Sequence, residues 1–231
     1  MTADPEVRWA GDSAFTVRLG DCMDAAVHER TLAFTRAIEA RAVPAVREVV
    51  PAYASATVYF DPLLGDGDDL AAEVLSLVEH TPPPPSTTSR LIEIPICYGG
   101  ALGPDLEEVA RLSGLSPAEV VAQHQAVTYR VYLIGFLPGF PYLGSVPAAL
   151  RIPRLPEPRR TVSAGSVAVA GEQCGIYPSD SPGGWRILGR TPLRLFDPGR
   201  AHPSLLAAGD EVRFVPIERH AFERFVSHAT D

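Results

Sequence analysis

Gly135-Phe136-Leu137-Pro138-Gly139-Phe140-Pro141-Tyr142-Leu143-Gly144 is the stretch on which the reading of this chain turns. Three glycines and two prolines fix its backbone, and three aromatic rings are left on display. No helix or strand propensity produces such a segment; loops of this kind hold a ligand or another surface. A second stretch of the same character lies downstream. Gly171-Glu172-Gln173-Cys174-Gly175-Ile176-Tyr177-Pro178 runs into Ser181-Pro182-Gly183-Gly184-Trp185, again joining glycine amides to aromatic and hydroxyl side chains.

Around these loops, short strands are predicted at Arg130–Ile134, Ser166–Ala170 and Arg186–Leu188, separated by Gly- and Pro-rich turns, a spacing that suggests a barrel. Leu91–Ile96 reads as a further strand. Two short helices follow it, one opened by Gly103-Pro104-Asp105 with Glu107 in its first turn. The other is opened by the capping box Ser116-Pro117-Ala118-Glu119 and carries His124.

Toward the N-terminus the pattern changes. Strands are predicted at 7–10 and 14–19 with Gly11-Asp12 as the turn, and a helix over 24–41 with Asp24 as N-cap and Val27, Phe34 and Ile38 on its apolar face. Strands at 46–50 and 55–60 and a helix from Asp68 complete a small ββαββα sandwich. The run Thr81-Pro82-Pro83-Pro84-Pro85-Ser86 can continue neither helix nor sheet. The reading is therefore α+β: an N-terminal domain at 1–81, a proline-rich linker at 82–89 and a second domain at 90–231.

Composition narrows the function classes. At 231 residues, 46% hydrophobic and 21% charged, the chain can bury substantial cores. No apolar run approaches the roughly 20 residues needed to cross a bilayer, and no signal pattern opens the chain, so a cytoplasmic protein without a membrane partner is expected. The net charge of −8 is concentrated before the linker, where 14 acids face 6 arginines, which disfavours nucleic acid as a partner. Cys22, Cys97 and Cys174 are odd in number and widely separated, so neither a disulfide framework nor a metal site is expected. All 20 basic residues are arginine. Without lysine there is no Walker P-loop, no Schiff base and no Ser-Ser-Lys amidase centre.

The segments Tyr98-Gly99-Gly100, Gly103–Ala110, Gly135–Gly144, Pro153-Arg154, Pro158-Arg159, Ala164–Val167, Gly175–Pro178 and Ser181–Trp185, in this order, resemble the carboxyltransferase C/D-type family. That family comprises the B-type subunits of 5-oxoprolinase, the KipI kinase inhibitor and proteins labelled allophanate hydrolase subunit 1. The resemblance implies a cyclophilin-like β-barrel for the second domain. It also implies a cyclophilin-like barrel partner, of the 5-oxoprolinase C type or the allophanate hydrolase subunit 2 type, and a large ATP-dependent A-type chain. The expected activity is ATP-dependent opening of 5-oxoproline to glutamate, with no cofactor on this chain and ATP and Mg²⁺ on a partner. A KipI-like inhibitor of a sensor histidine kinase is the alternative. A third reading, an allophanate hydrolase or urea carboxylase-like complex, is disfavoured by the missing lysine.

Candidate site residues follow from side-chain chemistry. His124 is the candidate for acid–base work near neutral pH, against a satisfied helix histidine. Arg154 and Arg159, with Arg151 and Arg160 nearby, are candidates for bidentate binding of a carboxylate or acyl phosphate, against solvated surface charge. Gln173 offers a donor and an acceptor, and Ser181 a hydroxyl, for an oxyanion or an amide. Tyr142, Tyr177 and Trp185 read equally as ligand contacts or as packing.

Overall fold

The computed structural model describes residues 5–80 and 89–228, so the proline-rich segment Thr81–Ser86 lies outside the described residues. The chain divides into two compact units, Met1–Thr88 and Ser89–Asp231.

In the first unit, strands β1 (Glu6–Trp9), β2 (Ala14–Arg18), β3 (Val46–Pro51) and β4 (Ser55–Phe60) form one antiparallel sheet in the order β1-β2-β4-β3. Helices α1 (Ala25–Arg41) and α2 (Gly67–His80) pack on it. Asp24 caps α1 as expected, its Oδ1 accepting from the amides of Ala26 and Val27. Period-2 alternation sends Phe15, Val17, Val58 and Phe60 into the core, where Phe34 and Ile38 of α1 and Val74 of α2 meet them.

The second unit is a closed barrel of seven strands. In chain order these are β5 (Leu91–Tyr98), β6 (Thr128–Ile134), β7 (Pro141–Gly144), β9 (Ser166–Ala170), β10 (Gln173–Ile176), β12 (Arg186–Arg190) and β13 (Glu211–Pro216). The order around the barrel is β10-β7-β6-β13-β5-β12-β9, and β5 with β13 is the parallel pair. A separate ribbon joins β8 (Arg159–Val162) to β11 (Ser181–Gly183), and helices α3 (Leu106–Ser113), α4 (Pro117–Gln125) and α5 (Arg219–His228) complete the unit. The mixed α+β class with a closed barrel matches the expectation. The capping box of α4 forms in full, with Ser116 and Glu119 satisfying each other's amides. Strands β7, β8, β10 and β11 are each four residues or fewer, too short to show a period in sequence.

Strand β9 shows how the barrel makes two cores at once. All five of its residues are buried. Val167 and Val169 face the main core with Ile94, Ile96, Val131, Leu143 and Leu188, whereas Ala168 and Ala170 face outward into a second cluster. The neighbouring strands keep the same alternation. Cys174 and Ile176 point in, and Ile187 of β12 points out beside Tyr177 and Trp185. Small residues stand on the outer face of β9 because large rings lie over them.

Candidate active site

Those rings form a recess of about 280 Å³ on the outside of the barrel, lined by Phe136, Phe140, Tyr142, Tyr177 and Trp185 together with Arg154, Leu155, Pro158 and the Pro182–Gly184 turn. Phe140 is its hub. The Phe140 ring meets Tyr177 at 5.2 Å and Trp185 at 5.7 Å, each at 86°, and Tyr142 at 5.0 Å. Edge-to-face packing of this kind stabilises each pair by about 0.5–1.5 kcal/mol beyond area burial and holds the rings in one arrangement.

Two glycines of the second stretch are required by this packing. A Cβ on Gly175 would stand 2.7 Å from Cζ of Phe140 and 3.0 Å from Trp185, and one on Gly183 would stand 2.4 Å from the Tyr177 hydroxyl. The Gly135–Phe140 turn is closed by the Gly135 amide donating to the Phe140 carbonyl at 3.0 Å. Within it Phe136 takes φ +67°, a left-handed conformation costly for an aromatic residue, and its ring is 61% exposed at the rim. Sequence reasoning did not single out Phe136, because nothing local distinguishes a strained phenylalanine from a relaxed one.

Tyr142, Tyr177, Trp185 and Arg154 are thus brought together. Burial pushes the Tyr177 phenol above its ordinary range, with Trp185 main chain, Arg154 and Arg159 pulling the other way. Burial likewise raises Tyr142, opposed by Arg154. Both are neutral hydroxyls at physiological pH. The lining carries no carboxylate, imidazole or thiol and one guanidinium, that of Arg154. The recess can therefore stack, hydrogen-bond and neutralise an anion, but it supplies neither nucleophile nor general base at neutral pH.

The other predicted residues lie elsewhere. Arg159 turns away from Arg154 and pairs with Asp105 at 2.5 Å. The same carboxylate accepts the Ile187 amide at 2.7 Å. Arg151 pairs with Glu172. Gln173 opens β10 opposite Ala170, half-buried and outside the recess. Ser181 lies opposite Val162 on the ribbon, with its hydroxyl buried and without a hydrogen-bond partner among the described residues.

His124 is fully enclosed. Its Nδ1 shares a hydrogen with the Tyr98 hydroxyl at 2.8 Å, its Nε2 faces the Cys174 sulfur at 3.5 Å, and its ring lies 4.6 Å from Phe214. Burial pulls its pKa down to about 3 and pushes the Cys174 thiol up, so both are neutral at physiological pH. The structure places this pair in the barrel core and not at the recess.

The sequence matches the family described as "Carboxyltransferase domain, subdomain C and D" over residues 5–206. It is similar to the B-type subunit of 5-oxoprolinase from Bacillus subtilis (strain 168), with 39% identity over 97% of this chain and 98% of that one. It is also similar to the B-type subunit of 5-oxoprolinase from Escherichia coli O157:H7, with 58% identity over 55% of this chain and 59% of the relative. Among solved structures, TTHA0988 superposes with a TM-score of 0.79 at 42% identity, covering 92% of this chain and 40% of that longer one.

Proposed function

The chain belongs to the carboxyltransferase subdomain C and D family, and from that membership we propose that it is the B-type subunit of a 5-oxoprolinase, which opens the lactam of 5-oxoproline to glutamate. Its relatives are named as one subunit of several, and the chain corresponds to 40% of a longer relative, which supports action alongside further polypeptide.

The aromatic recess with its single arginine carries the reading. A five-membered lactam offers an apolar face to the exposed Phe136 ring at the rim, an amide to the Tyr142 and Tyr177 hydroxyls, and a carboxylate to Arg154. Such a site selects and orients substrate. The water attack needs a base, and the recess has none, so that group comes from the cyclophilin-like barrel partner. ATP and Mg²⁺ are assigned to the large A-type chain, since a lysine-free sequence has no Walker P-loop.

The test is reconstitution. Glutamate release from 5-oxoproline with Mg-ATP is expected from this chain combined with its barrel partner and the large chain, and not from this chain alone. Micromolar Mg-ATP binding by the isolated chain, or full turnover without partners, would sink the assignment.

A further inference from the structure

A second recess, of about 190 Å³, is lined in part by β8 residues, and its chemistry is opposite to that of the aromatic one. Two guanidinium groups, Arg159 and Arg190, line it with the hydroxyl residues Thr161, Ser163 and Ser166, and no carboxylate is among its lining residues.

The two arginines differ. Arg159 is neutralised by Asp105 through Nη2, while its Nη1 is buried and donates to no acceptor among the described residues. Arg190 uses Nε on the Ala164 carbonyl at 2.6 Å and has no carboxylate partner among the described residues. The recess therefore carries one uncompensated positive charge.

Its frame is rigid. Gly165 has φ +81°, and a Cβ there would stand 2.4 Å from the Thr191 carbonyl. The Gly165 amide donates to the Tyr177 carbonyl at 2.7 Å, and the Thr191 amide donates to the Gly165 carbonyl at 2.9 Å. The Ala164 amide donates to Asp180 at 2.8 Å. The 163–166 turn is thereby locked to the strand that carries Arg190. On the facing side, the Asp105 amide is held by the Ile187 carbonyl at 3.1 Å. Donors fixed in advance lose little entropy when they take a ligand.

We propose that this recess is a phosphate-binding site in which Arg190 supplies the charge, Thr161, Ser163 and Ser166 supply hydroxyl donors, and Arg159 closes the opposite wall. A carboxylate presents two oxygens in one plane. The donors here come from β8, the turn after it, β9 and β12, and a tetrahedral group with three or four oxygens can meet them from several directions at once. The inference stands apart from the aromatic recess and does not rest on the 5-oxoprolinase reading.

The experiment titrates the isolated full chain with inorganic phosphate by calorimetry, at ionic strength held constant with chloride. Saturable one-site binding in the millimolar range or tighter is expected. Arg190→Gln should weaken it at least tenfold, while Arg200→Gln, on an outer loop beside Asp197, should leave it unchanged. Should Arg190→Gln fold poorly, Ser163→Ala on the exposed turn is the second variant, with a severalfold loss expected. Phenyl phosphate distinguishes the source. Equal or tighter binding assigns the site to the phosphoryl group of a larger ligand, and its exclusion assigns the site to free phosphate. The proposal falls if the wild-type chain shows no saturable binding at millimolar phosphate. It also falls if Arg190→Gln binds like wild type, or if acetate displaces phosphate on equal terms. Because the assay needs no partner, ATP or lactam, its failure and the failure of the 5-oxoprolinase assignment are separately visible.

Discussion

Asp105 and Arg159 form a 2.5 Å ion pair that ties the mouth of α3 to β8, and the aspartate is nearly enclosed, with 9% of its side chain exposed against 29% for the arginine. Asp105 occupies the N-cap position of α3 yet makes no side-chain capping bond. Its second oxygen accepts the Ile187 amide of β12 at 2.7 Å, so one carboxylate holds together a helix start, a ribbon and a barrel strand.

Asp105→Ala should therefore cost far more than a lost cap. It strands a shielded guanidinium and an amide together, for which about 3 kcal/mol is expected. Asp105→Asn retains an acceptor for the Ile187 amide and should lose roughly half as much. Urea unfolding of both variants measures the difference, and equal losses would show that the amide bond contributes little.

Gly183→Ala should close the aromatic recess from its floor. The new methyl would stand 2.4 Å from the Tyr177 hydroxyl, and relief requires that ring, and Phe140 packed against it, to move. An overpacking cost of about 1–3 kcal/mol is expected, together with a changed near-ultraviolet circular dichroism signal. An unchanged aromatic signal would mean that the ring is free to yield.

Arg154→Gln leaves the aromatic walls in place and removes the charge at their edge. In the reconstituted enzyme the KM for 5-oxoproline should rise about tenfold to a hundredfold, the equivalent of about 1.5–3 kcal/mol for a charge-assisted contact, with little change in kcat. A fall in kcat at constant KM would place Arg154 in the reaction step itself.

His124 should make the protein acid-sensitive. Its folded-state pKa is drawn from an ordinary 6.5 to about 3 by burial. The unfolded chain thus binds the extra proton between those values, and stability falls as pH drops through that window and is unaffected above it. The slope approaches about 1.4 kcal/mol per pH unit from this group alone. His124→Gln should flatten the urea midpoint between pH 6 and 4 relative to wild type, at some cost in stability at pH 7. Parallel pH profiles for the two proteins would show that the imidazole is charged in the folded state.

Sequence alone determined whatever depends on near neighbours. The Ser116–Glu119 capping box, the Asp24 cap and the pattern of β2 and β4 are satisfied within a few residues, so they read directly and reappear in the structure. The glycine-aromatic loops stood out for the same reason, but whether their rings packed or met a ligand was open until the fold placed Gly175 and Gly183 against them. The absence of lysine excluded whole chemistries without reference to any fold.

Tertiary structure decided what depends on distant partners. Arg154 and Arg159 are neighbours in sequence and looked like one cluster, but Arg159 belongs to β8 and turns to Asp105, while Arg154 precedes that strand at the rim of the aromatic recess. His124 looked like an acid–base group on the helix after the capping box, and only the closing of β10 and β13 around it left its nitrogens facing Tyr98 and Cys174 in a dry core. The parallel pairing of β13 with β5 joins the two ends of the second unit, a contact that no local period encodes. Burial and electrostatic environment are properties of the packed neighbours on all sides of a group, and those neighbours are brought together by the fold, not by spacing along the chain.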